Sequence, residues 1–199
     1  MTLLRTLLLL LICLFSNNSN AQVWKKALDK NGIQVYTATN ANSKYDYTKS
    51  IMQINGTIQK AIDVLFNFEA YPNWVPYCIA SKTVKRISDS EFVYHAVLDI
   101  PFVKNRDLVI RIKKKSIGLN SFILELSHDN SMVAISKDYV RMPFYYGKYT
   151  ITEKEKNILS ITLENSYDPG GTIPSFLVNM SKTDSPYKMF KSLRERINL

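Results

Sequence analysis

Histidine and cysteine are scarce in this chain of 199 residues, with two of each. His95 and His128 stand on separate segments. No His-Glu-x-x-His, paired-cysteine or similar ligand spacing occurs, which excludes the ordinary patterned metal centres. The 6 glycines and 7 prolines are too few and too scattered to build a linker or a low-complexity stretch, and no internal repeat is found. There is no Gly-x-Ser-x-Gly elbow and no phosphate-cradling glycine loop; Gly170-Gly171 follows Pro169 and reads as a turn. No apolar run is long enough to span a bilayer. The longest, Thr6–Phe15, has about ten residues against the roughly 20 that a spanning helix needs. No cofactor and no metal are expected from such a chain.

That apolar run has another meaning. Arg5 precedes it, the polar stretch Ser16–Asn20 follows, and Ala21 closes it. This is the charged, apolar, small-residue order of a secretory signal peptide. Ser19 and Ala21 supply the two small side chains that a signal peptidase accepts. The expectation is cleavage after Ala21, a mature domain over 22–199, and a periplasmic or secreted address. Cleavage removes Arg5 and no acidic residue, so the formal charge falls from +9 to +8. It also removes Cys13, leaving Cys78 alone, so the mature domain has no internal disulfide and must be held by its core. A chain of this size can do so as one domain, expected to act as a monomer. Cys78 reads as a small buried apolar residue. The basic excess fits an anionic membrane surface. Nucleic acid is not an expected partner, since export and the lack of a basic helix or aromatic-interleaved basic stripe both argue against it.

Extended segments dominate the rest. Asn31-Gly32 turns into a strand at Ile33–Thr37, and a longer one at Tyr45–Ile54 is closed by Asn55-Gly56. The period then changes: Ile58, Ala61, Ile62, Leu65 and Phe66 fall at helical spacing behind Thr57, a suitable cap. The helix stops before Tyr71-Pro72. Further strands are expected at Ser81–Ile87, Phe92–Leu98, Leu108–Lys114, Ser121–Ser127, Met132–Val140, Tyr145–Glu153 and Ile158–Tyr167. The last segment is helical, with Pro174 in its first turn and a break near Thr183–Ser185 caused by Pro186. Strands, one helix, many strands and one long helix make an α+β domain, a curved antiparallel sheet around the terminal helix.

Four local motifs, in order, give the chain a resemblance. They are Trp24 with Asn31-Gly32-Ile33-Gln34-Val35-Tyr36; Tyr71-Pro72-Asn73-Trp74; Pro101-Phe102-Val103-Lys104-Asn105-Arg106-Asp107; and Tyr167-Asp168-Pro169-Gly170-Gly171-Thr172-Ile173-Pro174 running into Phe176-Leu177-Val178-Asn179 and Leu193-Arg194. Together they resemble the START lipid-transfer family over nearly all of the mature chain. The resemblance implies a helix-grip fold with an internal tunnel, a C-terminal helix as lid, and a lipid or other large apolar molecule as ligand. It also implies a loop facing that helix, taken as Lys113–Asn120. There Lys113, Lys114 and Lys115 would meet anionic headgroups while Ile117 and Leu119 dip into the acyl boundary. The other reading of this segment is a solvated hairpin end.

Alternation then nominates the lining. Leu159, Ile161, Leu163, Asn165 and Tyr167 share one strand face, and Phe122, Leu124 and Leu126 share another. Tyr149 and Ile151, with Phe176, Leu177 and Met180 of the lid, complete the set; any of them can equally be solid core. Arg106 and Asp107, adjacent on a strand, point to opposite faces, so they serve either to brace the sheet or, for Arg106, to meet a ligand headgroup. Sterol-carrying members place an acidic residue and an arginine where this chain has Ala96 and Ile112, which argues against a sterol. Two other classes stay open: a grip-fold cyclase or hydrolase using His95 or Tyr94 with a carboxylate, and a ligand-free interaction module. The expected function is a binding protein and not an enzyme.

Overall fold

The computed structural model describes residues 22–40 and 45–198; the expected signal peptide lies outside them. Ten strands form one sheet: β1 (Lys25–Lys30), β2 (Ile33–Ala38), β3 (Tyr47–Asn55), β4 (Cys78–Ser88), β5 (Glu91–Leu98), β6 (Arg106–Gly118), β7 (Ser121–His128), β8 (Val140–Arg141), β9 (Phe144–Glu155) and β10 (Ile158–Asp168). The spatial order is β1-β2-β3-β10-β9-β7-β6-β5-β4, with β8 beside β6. All pairs are antiparallel except β6 with β8. The helices are α1 (Ile58–Phe66), α2 (Ser175–Lys182) and α3 (Asp184–Asn198). This is the curved antiparallel sheet with a C-terminal helix that the sequence pattern predicts.

Alternation along the strands explains which face of the sheet turns to the core. Ile33 and Val35, Met52 and Ile54, Leu124, Ile151, Leu159 and Ile161 point to one face and are buried, while alternate residues are partly exposed. The stripe Phe190, Leu193 and Ile197 of α3 fills that face. At Gly56 a side chain would meet it: an added Cβ would stand 2.8 Å from Cγ2 of Ile197. The glycine therefore lets the last turn of α3 come down on the end of β3.

Turns and caps follow their residue types. Asn31 and Gly32 both have positive φ, +52° and +70°, the backbone of the two-residue hairpin turn that Asn-Gly favours. Thr57 Oγ1 accepts from the Lys60 backbone N–H at 3.2 Å. Thr57→Ala should therefore lower the unfolding free energy by about 1 kcal/mol, measurable by urea denaturation.

Three expectations need correction. β1 was not anticipated. As an edge strand exposed on both faces it carries no apolar alternation. The strand expected at Met132–Val140 is a short 3-10 turn at Asn130–Met132 and a loop that ends in the two-residue β8. Its apolar residues do not face a core; Ile135 is 75% exposed. The loop is held instead by polar contacts from Arg141, whose guanidinium donates to the carbonyls of Asn130, Val133 and Ala134. Pro174 stands just before α2 as its N-cap and not inside its first turn. The break between α2 and α3 does fall at Thr183, and Pro186 occupies the first turn of α3, where its missing N–H deprives no carbonyl of a partner.

Candidate ligand cavity

The two halves of the sheet differ. Towards one end the grip is solid: Phe122, Leu124, Ile151, Leu159 and Ile161 share the main core with Ala61 and Leu65 of α1 and Phe190, Leu193 and Ile197 of α3. Towards the other end the same strands enclose a cavity of about 250 Å³. Leu126, Tyr149, Leu163, Asn165 and Tyr167 line it. Tyr94, Ala96 and Leu98 of β5, Leu108 of β6 and Cys78 of β4 close the opposite wall. Leu177, Val178, Met180, Ser181 and Lys182 of α2 form the roof, with Pro186 and Met189 of α3.

The nominated residues thus divide. Leu126, Tyr149, Leu163, Asn165, Tyr167, Leu177 and Met180 meet around the cavity. Phe122, Leu124, Ile151, Leu159 and Ile161 do not, because alternation identifies a face but not how far along it α3 fills the sheet. Phe176 is also outside the cavity, 46% exposed. It precedes Leu177 by one residue, about 100° around the helix, and so points away from the roof. Arg106 is buried but forms no part of the wall. Its Nη1 donates to the Lys104 carbonyl, its Nε has no partner among the described residues, and burial draws its pKa below the ordinary value.

Asp107 takes the opposite face, as alternation requires. Its carboxylate accepts from Nε and Nη2 of Arg141 at 3.0 and 2.8 Å and lies 2.9 Å from Nε2 of His95. Burial alone would raise the Asp107 pKa, but the hydrogen bonds and charge of Arg141 and His95 outweigh it, and the net shift is downward. His95 therefore belongs to a bracing cluster on the outer face, while Tyr94 next to it lines the cavity. The two cannot act together in one site. Arg111 also faces outward, paired with Glu91 and Asp129, and Ile112 is core, so no buried charge pair accompanies Ala96 in the cavity.

The segment expected to face the helix needs relocation. Most of Lys113–Asn120 is strand, extending β6 to Gly118, and none of it lines the cavity. Lys113 and Lys115 are paired with Glu91 and Glu125, while Ile117 and Leu119 are exposed. Ten residues separate Gly118 from the cavity residue Leu108, about 33 Å of strand. The loop that does meet the lid joins β5 to β6, residues 99–105. Ile100 and Pro101 line the cavity, and the Phe102 ring lies 5.8 Å from the Phe176 ring. Phe102 is 86% exposed and holds φ at +69°, a backbone region that bulky residues rarely adopt. The signal for this loop was present in Ile100-Pro101-Phe102-Val103, an apolar run with an aromatic inside a connection between two strands.

The cavity wall is apolar with a sparse polar inventory. Tyr71 donates to the Leu65 carbonyl at 2.6 Å, and Thr48 to Oδ1 of Asn165 at 2.5 Å. Burial pushes the phenols of Tyr71, Tyr94, Tyr145, Tyr149 and Tyr167 upward, so all stay neutral at ordinary pH. It pushes the Cys78 thiol up to about 11, which leaves little thiolate for chemistry. Two charged side chains reach the wall, Asp46 and Lys182, and they form an ion pair of 2.8 Å across the seam between β3 and the end of α2. Among the described residues no group of three metal-ligating side chains converges, and no helix is long and apolar enough to cross a membrane.

A curved sheet that is solid at one end, hollow at the other and roofed by a broken terminal helix defines a helix-grip binding domain. The START domain family model matches residues 13–199, and the chain belongs to that family. It is similar to an uncharacterized protein of Pseudomonas aeruginosa, 26% identical over 180 residues, covering 90% of this chain and 89% of that one. Among solved structures, a STAR-related lipid transfer protein from Xanthomonas axonopodis matches with TM-score 0.82 at 24% identity, over 88% of this chain and 99% of that one. Human StAR-related lipid transfer protein 5 matches with TM-score 0.79 at 13% identity, over 98% of this chain and 94% of that one. At these identities the structural likeness establishes the fold.

Proposed function

We propose that the protein is an exported carrier, and not an enzyme, that binds one lipid or other large apolar molecule and shields it in water between membranes. The cavity carries the reading: an apolar space inside a START fold, in which the charged side chains among the described lining residues, Asp46 and Lys182, are spent on each other in an ion pair. The lipid-transfer names of the structural relatives point the same way. The cavity volume of about 250 Å³ is below the roughly 300–1,000 Å³ of ordinary ligand pockets, so a lipid-sized guest needs the roof to move. The movable parts are α2, hinged at Thr183, and the 99–105 loop. Apolar burial would then hold the guest at about 25 cal/mol per Å². Native mass spectrometry with lipid extraction, on the chain exported and purified without detergent, tests this. A discrete lipid mass that disappears on organic extraction is expected. Failure to bind any member of a lipid panel would move the reading to a ligand-free interaction module.

Entry and exit in this proposal occur at an anionic membrane surface. The exposed pair Phe102 and Phe176 at the mouth would enter the acyl boundary, and the net positive charge would favour the approach. Phe102→Asp with Phe176→Asp should slow transfer between phosphatidylglycerol-containing vesicles about tenfold and leave equilibrium occupancy unchanged. An unaltered rate would remove this docking site and return attention to the Lys113–Lys115 hairpin.

A further inference from the structure

Tyr94 and Tyr149 stand out among the cavity side chains. Both line the cavity and both are at least nine-tenths buried, with exposures of 5% and 4%. Several other polar groups in the wall are committed: Tyr71 to the Leu65 carbonyl, Thr48 to Asn165, and Ser181 to the Val178 carbonyl. Neither the Tyr94 nor the Tyr149 hydroxyl forms a hydrogen bond with another described residue. A buried hydroxyl facing an apolar cavity without a partner loses the hydrogen bonds it had in water. A ligand oxygen at the same place would restore them.

The charge of that ligand group is limited by the surroundings. Asp46 and Lys182 sit at the rim and neutralise each other. Arg106, the nearby buried cation, is outside the wall and donates to the Lys104 carbonyl. Tyr94 and Tyr149 are both held neutral, first by burial and then by neighbouring phenols, including each other in the case of Tyr94. A phosphate or ammonium placed there would be desolvated with no counter-charge.

We propose that the Tyr94 and Tyr149 hydroxyls are the polar recognition groups of the cavity, donating to an uncharged oxygen of the ligand: an ester, a ketone or an alcohol. This deepens the lipid-carrier reading and rests on it. The lipid class it selects is neutral and oxygen-bearing, with its polar end inside and its chains along the apolar wall.

The test uses the full mature chain and three probes by native mass spectrometry: dioleoylglycerol, dioleoylphosphatidate and squalene, a hydrocarbon without oxygen. The wild-type chain should bind dioleoylglycerol at least tenfold more tightly than either of the others. Tyr94→Phe and Tyr149→Phe keep each ring and remove only the hydroxyl. Each should weaken dioleoylglycerol binding about fivefold and leave squalene unchanged. The assignment is overturned if the double variant binds dioleoylglycerol like wild type, if phosphatidate is preferred, or if squalene binds as well as dioleoylglycerol. If none of the three binds, the carrier reading falls and takes the assignment with it. Should a variant not fold, the wild-type ranking of the three probes decides by itself.

Discussion

Arg141→Leu should lower the unfolding free energy at pH 7 by about 3–5 kcal/mol, because it leaves the Asp107 carboxylate buried without its cation. Both side chains are nearly inaccessible, at 6% and 3%, and they are joined by two hydrogen bonds. The pH dependence separates this cause from simple loss of packing. In the wild-type chain the Asp107 pKa is lowered on folding. Its stabilisation is therefore present above the unfolded value, near 4, and is lost as pH falls through the folded value. In the variant, burial acts on Asp107 with only His95 to oppose it, so its folded pKa rises. The deficit relative to wild type should then shrink as pH falls, since protonation relieves the uncompensated charge. A deficit constant from pH 7 to pH 4 in urea titrations would show that Arg141 acts through packing alone. The cluster also matters to the cavity: the chain next to Arg141 puts Met142 in the wall, and an added Cβ on Gly170 would stand 3.1 Å from the Arg141 carbonyl oxygen.

Ala96→Trp should abolish lipid binding, by more than 100-fold, without unfolding the protein. Ala96 is 3% exposed and lines the cavity, so an indole at this position grows into the space of about 250 Å³ instead of into packed atoms. The melting temperature should change by no more than a few degrees. The same enlargement at Leu124, in the solid half, should instead destabilise the domain by about 1–3 kcal/mol through overpacking. Binding assays with a fluorescent acyl-chain probe, run beside thermal melts of both variants, read this contrast. If Ala96→Trp still binds the probe with unchanged affinity, the ligand does not occupy this cavity.

Most of the architecture was legible because each element carries its own physical signature. Strands half buried on one face alternate, as Ile33 and Val35 or Leu159 and Ile161 do. Thr57 and the apolar spacing behind it mark α1, and Pro186 marks the break in the terminal helix. Illegible elements lacked such signatures. β1 is exposed on both faces, and the 129–142 loop owes its shape to Arg141 reaching several backbone carbonyls, a contact with no local period. For the site, alternation placed Leu163, Asn165 and Tyr167 on the right face. It could not tell them from Leu159 and Ile161, which share that face but lie under α3.

The amino-acid sequence by itself determined the α+β order of elements, the face of each strand that turns inward, the break in the last helix and the family resemblance, since all of these depend on residues close together in the chain. Only the tertiary structure decided where the grip is solid and where it is hollow, that the 99–105 loop rather than the 113–120 hairpin meets the lid, and that Tyr94 and Tyr149 line the same space. Those outcomes depend on how far α3 reaches across a curved sheet and on contacts between residues more than fifty positions apart, which no local pattern encodes.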